Sequence, residues 1–364
     1  MKKGTNLIGY SRAEMSIGEI CRIHARSLDE SSIPYCVLNF NENSVFRNSD
    51  KSLVDKEVLD PLYKTNIFYV NADSTKKSYD FFGDQVFNNR YNIGYWSWEL
   101  PEFPKTFIGS FNYVDEVWVP SNFVLDSVSR WAKVPVIKIP HPISIEVSNL
   151  NREYFNLPED KFLFLFAFDI LSIFERKNPM AVIKVFKDTF KDNSNVCLVL
   201  KINNSKYKPE EMKLIEDSIN NNIYILKDTL SKIEVNSLIN LCDCFISLHR
   251  SEGFGLLLGE AMYLGKPVIA TNWSGNIDFM SESNSCPVKY NLTKLNRTYH
   301  PYEKGSTWAD PDIEHAMYYM KKVVEDKEFY NTIGSNAKTY IKNNLSTKYV
   351  GSLIKQRLNF LGLI

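Results

Sequence analysis

Short apolar runs alternate with stretches of helical periodicity along most of the chain. In the first half, residues 6–10 (NLIGY), 35–40, 67–71, 92–97 and 116–119 each read as a strand, and 134–139 closes the series. Between the first two, Ile17, Ile20, Cys21, His24 and Leu28 recur on one helical face. Ser16-x-x-Glu19 ahead of them predicts a capping box. Ser121 predicts the cap of a helix to about Trp131. The polar segment 41–64 gives no clear element. A second series starts at Phe162 (FLFLFAF) and continues with strands at 196–200, 223–226, 244–248 and 268–271. Asn178-Pro179 predicts a helix start, with Asn178 as cap and Pro179 in the first turn. Ser231-x-x-Glu234 predicts another capping box, and helices are expected at 312–326, 329–342 and in the tail 346–364. Strands alternating with helices mean parallel sheets. The polar stretch from Pro140-His141-Pro142 to about Asp160 reads as a linker. The expected organisation is therefore domains over 1–145 and 146–345, with a tail helix over 346–364 that returns to the first domain.

Composition narrows the field. A chain of 364 residues holds two domains with proper cores. Its 43 basic and 43 acidic residues balance, so no field argues for nucleic acid. No leader segment or apolar run of membrane-spanning length is visible. The six cysteines sit mostly in predicted strands and helices and lack metal or redox spacing, which favours buried thiols and a cytoplasmic location. No glycine-rich fingerprint follows the first strand, since Gly9 and Gly18 are too far apart, which argues against a nicotinamide enzyme.

The chemistry concentrates in residues 244–271. Strand CFISL breaks at a glycine turn carrying Glu252, restarts as a helix, stops at Gly265-Lys266-Pro267 and enters a new strand. Such a turn lies at the carboxyl end of a parallel strand, where open α/β sheets bind ligands. The helix N-terminus suits phosphate, and Gly253 and Gly255 remove side chains that would keep phosphate away. Glu252 and Glu260 flank that anion site and repel phosphate, so their natural partners are hydroxyls. A ligand with central phosphate and hydroxylated rings on both sides is a nucleotide sugar. Arg176 and Lys177 lie ahead of another helix start at a strand's carboxyl end, where cations and N–H groups meet phosphate.

Glu252 and Glu260, with seven residues between them within EGFGLLLGEAMYLGKPVIAT, resemble the E-x7-E signature of retaining GT-B glycosyltransferases, specifically glycosyltransferase family 4 (glycosyl transferases group 1). NIGYWSWELP, VDEVWVPSNFV and FERKNP resemble a bacterial subgroup associated with surface-polysaccharide assembly. The resemblance covers most of the chain and is strongest from Phe162 to Met280. It implies an α/β GT-B fold, with two Rossmann-like parallel-sheet domains facing a cleft, acceptor on the N-terminal side and donor on the C-terminal side. It also implies transfer of a sugar, with retention and without a metal, from a UDP- or GDP-linked donor to a hydroxyl of a glycan or lipid-linked glycan, with peripheral contact at the inner membrane face.

By the same resemblance Lys177 binds diphosphate, Glu252 holds the donor sugar's hydroxyls and Glu260 the ribose. Gly253, Phe254, Gly255 and Leu256 supply backbone contacts, and Leu226 marks the edge that receives the base. The family's usual Gly-Arg after the strand preceding the lysine is replaced by Phe168-Asp169, which makes Arg176 the candidate substitute charge. The histidine often found after the fourth strand is also absent, and Trp98-Glu99 occupies that region. Glu99 either orients the acceptor or pairs with a basic neighbour. Gly9, Tyr10, Trp96 and Trp98 are the acceptor-side candidates, with the two tryptophans either a sugar-stacking platform or core. His249 either touches donor or packs, and His24 reads as a core histidine. Phosphorylases of this architecture are longer and carry a pyridoxal-lysine motif absent here. A non-catalytic nucleotide-sugar-binding subunit partnering another transferase is the competing reading.

Overall fold

The computed structural model describes residues 2–41, 47–191 and 193–364. It divides into two compact units, one of residues 1–143 with 343–364 and the other of 144–342.

The first unit is a six-stranded parallel sheet in the order β2-β1-β3-β4-β5-β6. Its strands are β1 (Lys2–Gly9), β2 (Tyr35–Asn39), β3 (Tyr63–Tyr69), β4 (Tyr91–Tyr95), β5 (Glu116–Val119) and β6 (Val136–Lys138). Alternation sends Leu7, Val37, Ile67 and Ile93 to one face and Ile8, Leu38 and Phe68 to the other. The first face is covered by α1 (Ser16–Glu30) and the C-terminal helix Thr347–Phe360, which contributes Val350, Ile354 and Leu358. Gly351 lets these two helices approach closely, for a Cβ there would sit 2.3 Å from the Ser27 carbonyl. The same helix is tied to the sheet through Arg357, whose Nε donates to Glu116 Oε1 at 3.0 Å. On the other face lie Val86 and Phe87 of α3 (Asp84–Phe87), which follows α2 (Ala72–Phe82). Neither short helix was predicted. In α4 (Asn122–Ser129) the Ser121 hydroxyl accepts from the Val124 N–H, as expected.

The expected capping box at Ser16 does not form. Met15 is the N-cap residue of α1, and the Glu19 carboxylate instead accepts from Arg22 at 3.0 and 3.1 Å. The third strand also begins at Tyr63, four residues before the predicted start at Ile67. Its early residues Thr65 and Asn66 are polar yet fully buried, and Asn66 bonds Asn6 and Asn92 across neighbouring strands. The uncertain segment 41–64 falls partly outside the described residues.

The second unit is again six parallel strands, ordered β12-β11-β10-β7-β8-β9. These are β7 (Phe162–Asp169), β8 (Val196–Asn203), β9 (Ile223–Leu226), β10 (Cys244–Ser247), β11 (Val268–Thr271) and β12 (Cys286–Val288). A hairpin of β13 (Tyr290–Lys294) and β14 (Thr307–Pro311) follows. Helices are α5 (Phe174–Lys177), α6 (Pro179–Phe190), α7 (Pro209–Glu216), α8 (Lys232–Leu241), α9 (Leu256–Tyr263), α10 (Ile313–Glu325) and α11 (Lys327–Asn344), with the tail helix as α12. Crossovers from β7 to β9 run one way along the sheet and those from β10 to β12 the other. Right-handed connection therefore places α6 and α7 on one face and α8 and α9 on the opposite one. Phe164, Phe166, Leu198, Leu200, Ile202 and Ile246 pack with α6, α7 and α10 on the first of these faces. The reversal between β7 and β10 is a topological switch point.

The Ser231 capping box at α8 is present in full. At α6 Pro179 occupies the first turn as predicted, but Asn178 does not cap with its side chain. It sits in the left-handed region (φ 56°), and its Nδ2 donates to the Leu248 carbonyl at 2.9 Å instead. Gly265 ends α9 at φ 78°, the left-handed conformation anticipated from Gly-Lys-Pro.

Candidate functional site

Because β7 and β10 are neighbours, the loops at their carboxyl ends meet. They are stitched by backbone and side chain. The Arg250 N–H donates to the Arg176 carbonyl at 2.8 Å, and Arg250 Nη1 to the Glu175 carbonyl at 2.7 Å. Arg176 Nη1 donates to the Ser251 carbonyl at 2.9 Å. Glu252 Oε1 receives Lys177 Nζ at 2.5 Å and lies 3.1 Å from Arg176 Nη1. Burial pushes the Glu252 pKa up, but Lys177, Arg176 and His249 outweigh it and hold the value down to about 2. The carboxylate is thus ionised at neutral pH. Two cations against one anion leave the cluster net positive, as a phosphate site requires.

A third loop supports Glu252 from the β11 side. The Glu252 N–H donates to Ser274 Oγ at 2.8 Å, and its carbonyl accepts from the Gly275 N–H at 2.9 Å. Ser274 has φ 78°, an unfavourable region for a residue with a Cβ, and costs about 1–3 kcal/mol. Gly275 is required sterically: a Cβ there would lie 2.1 Å from the Gly253 carbonyl oxygen. Gly255 precedes α9 at φ 92°, so the turn anticipated from two glycines uses only this one for its backbone conformation. Phe254 is buried against Phe279, with ring centroids 5.0 Å apart. Gly253 and Phe254 are buried, and Gly255 and Leu256 are half-buried at the start of α9.

His249 is fully buried. Asn276 Nδ2 donates to the Thr271 carbonyl at 2.9 Å, so its Oδ1 accepts from His249 Nε2–H at 3.1 Å. His249 Nδ1 then accepts from the Ser247 hydroxyl at 3.1 Å. Burial lowers the imidazole's pKa, and the ring, with both nitrogens engaged, packs the base of the loop. Glu260 on α9 is 1% exposed and receives Lys232 Nζ at 2.6 Å. Arg176, the candidate substitute charge, is 5% exposed and lies behind the loop rather than on its surface. Asp169 braces the end of β7 by accepting from the Leu171 N–H at 2.9 Å and Asn204 Nδ2 at 2.8 Å. Leu226 ends the edge strand β9 and is half-buried.

Several partners escape motif reading because they arrive from other segments: Ser274, Gly275, Asn276 and Lys232. Arg250 also anchors the hairpin. Its carbonyl accepts from the Ala309 N–H at 2.9 Å, and its guanidinium pairs with Asp310 at 2.9 Å and lies over the Trp308 ring. Trp308-Ala309-Asp310-Pro311 is therefore the strand that clamps the Arg250 loop.

In the first unit, Gly9 ends β1, next to β3 at that sheet's own switch point. Its backbone is so close to Tyr69 that a Cβ would sit 2.6 Å from the Tyr69 carbonyl. Tyr10 is half-buried against Phe40, 5.0 Å between centroids. Trp96 and Trp98 settle as core, correcting their place among the acceptor-side candidates. Trp96 is fully buried and stacks near Phe103, while Trp98 is 5% exposed and donates Nε1–H to the Glu102 carbonyl at 2.9 Å. Neither ring presents a face for a sugar. Glu99 is half-buried in the turn beyond β4. His24 is a satisfied core histidine, bonded to Tyr69 Oη at 2.8 Å, and burial drives its pKa down to about 3. Buried His141 lies 2.9 Å from the Tyr95 hydroxyl.

Among the described residues no group of three or more His, Cys, Asp or Glu is arranged to hold a metal, and no helix is long and apolar enough to cross a membrane. All six cysteines are free and buried.

Two parallel six-stranded α/β units, the second with a charged site at its switch point, make up the GT-B glycosyltransferase fold. Solved structures share it. HepE of Anabaena, crystallised with UDP and glucose, matches at TM-score 0.70 and 15% identity over 98% of this chain and 100% of its own. Sucrose-phosphate synthase from Thermosynechococcus elongatus matches at TM-score 0.71 and 13% identity over 99% of each chain. A glycosyltransferase from Rickettsia africae matches at TM-score 0.67 and 14% identity, also over 99% of each. In sequence, trehalose synthase of Rubrobacter xylanophilus is 24% identical over 178 residues, 47% of this chain but only 38% of that relative. The family model for glycosyl transferases group 1 matches residues 148–340, just over half of the chain. The chain belongs to that family.

Proposed function

We propose that the second unit binds a nucleotide-diphosphate sugar and that the protein transfers the sugar, with retention and without a metal, to a hydroxyl of a glycan or lipid-linked glycan in bacterial surface-polysaccharide assembly, as a member of glycosyltransferase family 4. The observation that carries this reading is the Lys177–Glu252–Arg176 cluster beside the Gly253–Gly255 turn. Phosphate oxygens suit Lys177 and the N–H groups at the start of α9, and the ionised Glu252 suits the sugar's hydroxyls. Buried Glu260, on the same helix, suits the ribose. That HepE was crystallised with UDP and glucose supports a uridine-linked donor, and a guanosine-linked one is the alternative.

In the reaction the bond between the anomeric carbon and the leaving phosphate oxygen breaks. A new bond to the acceptor oxygen forms on the same face, and the acceptor's proton passes to the departing phosphate. Lys177 and the helix N-terminus stabilise the negative charge that builds on the diphosphate. Arg176 contributes from behind by holding Glu252 and the Ser251 carbonyl in place. The cysteine usage supports a cytoplasmic setting, and the lipid-linked acceptor supports contact with the inner membrane face. A panel of nucleotide sugars tested by thermal stabilisation checks the binding step. One donor should raise the melting temperature with or without chelator, and Glu260→Ala should remove the effect. A donor response that requires a divalent metal would contradict metal independence, no response to any donor would contradict the nucleotide-sugar reading, and binding without transfer to any acceptor would favour a nucleotide-sugar-binding subunit that partners another transferase.

A further inference from the structure

The carboxyl end of β8 carries a buried cation that the cluster around Glu252 does not use. Lys201 is 2% exposed and pairs in register with Ala167 on β7 and Leu226 on β9. Its neighbours Leu200 and Ile202 pack into the face covered by α6 and α7. Strand alternation therefore turns Lys201 to the opposite face, toward the helices that carry Lys232 and Glu260. An ammonium has three donors. Asn203 Oδ1, at 2.5 Å, accepts one. Asp228 and Asp169 act on the ammonium from a distance, and among the described residues neither lies within ion-pair reach of it. Burial lowers its pKa to about 8, so it remains mostly charged at neutral pH. A buried ammonium with so little compensation is costly, and a methionine would fill the same space without that cost.

Position along the sheet edge indicates what it meets. The strands run β10, β7, β8, β9, with Glu252 beyond the first, Lys177 beyond the second and Leu226 at the end of the last. With strands ~4.8 Å apart, a nucleotide sugar with its sugar at Glu252 and its diphosphate at Lys177 carries its base to β8 and β9. We propose that Lys201 determines donor specificity by donating to the keto oxygen of a uracil or guanine base, selecting those nucleotides over their amino-bearing counterparts. Uracil O4 and guanine O6 accept hydrogen bonds, whereas the exocyclic amines of cytosine and adenine donate and would face the ammonium donor to donor. This inference rests on the nucleotide-sugar reading of the second unit.

The test is calorimetric titration of the full-length protein with UDP, CDP, GDP, ADP and inorganic pyrophosphate, for wild type, Lys201→Met and Lys201→Gln. Wild type should prefer UDP over CDP, or GDP over ADP, by on the order of tenfold. Lys201→Met should bring that ratio to about one and leave pyrophosphate binding unchanged. Lys201→Gln should flatten it too, because an amide can turn either its donor or its acceptor to the base, and it covers the case in which the methionine variant fails to fold. A ratio retained in the variants overturns the assignment. So does an equal loss of pyrophosphate and UDP binding, which would make Lys201 a phosphate ligand. If wild type binds none of the nucleotides, the nucleotide-sugar reading itself falls, and this inference with it.

Discussion

Replacing Glu252 with glutamine keeps the side chain's shape and removes its charge from beside Lys177 and Arg176. Burial works against the ionised form, yet the cations bring its pKa from an ordinary 4.5 to about 2. That difference of about 2.5 corresponds to about 3 kcal/mol, at ~1.4 kcal/mol per pH unit. The folded-state value lies below the unfolded one. The contribution is therefore complete above about pH 4.5 and is lost as pH falls toward 2. The neutral amide still accepts hydrogen bonds, so the net loss at pH 7 should be smaller, about 1–3 kcal/mol. For a unit of this size that lowers the melting midpoint by roughly 2–10 °C. Differential scanning calorimetry of wild type and Glu252→Gln at pH 7, 5 and 3.5 reads the effect. The gap should be equal at the first two values and narrower at the third. A constant gap across the range, or a variant more stable than wild type at pH 7, would refute the electrostatic account of the cluster.

Arg357→Met strips the guanidinium from fully buried Glu116, leaving the carboxylate, among the described residues, Trp118 Nε1 at 2.6 Å and the Tyr91 hydroxyl at 3.2 Å. The first unit should lose about 3 kcal/mol, read by urea unfolding, and α12 should become protease-sensitive; a loss below about 1 kcal/mol would contradict the anchoring role. Gly275→Ala forces a methyl against the Gly253 carbonyl and should weaken donor binding by about tenfold or more in calorimetric titration, whereas unchanged affinity would mean the Glu252 turn tolerates displacement. The six cysteines are buried, and burial raises the Cys21 and Cys242 thiols to about 12, so a thiol-specific reagent should label none in the native protein and all six in denaturant.

The centre of the site was legible because Glu252, Gly253, Gly255 and Glu260 fall within one strand-turn-helix stretch, where spacing translates directly into geometry. Lys177 was legible from its place ahead of Pro179. What surrounds them was not. Ser274, Asn276 and Lys232 reach the site only because the sheet brings β11 and α8 beside β10, and no local periodicity reports that. Lys201 lies just past the strand expected at 196–200, and only the longer β8 and its register set it opposite Leu226. Local signals also misled where tertiary partners competed: Glu19 goes to Arg22 instead of a cap, and Asn178 spends its amide on the Leu248 carbonyl. For Trp96 and Trp98 alternation left platform and core equally open, and only the packed rings of Phe103 and Phe107 around them decided for core.

The most direct test of the account is transfer itself. Wild type and Glu252→Ala would be incubated with the donor identified by binding and a lipid-linked or soluble glycan acceptor, and the product's anomeric configuration read by NMR. The account predicts a product with the donor's configuration from wild type and none from the variant, with both proteins folded. Near-normal turnover by Glu252→Ala, or an inverted product, would contradict it.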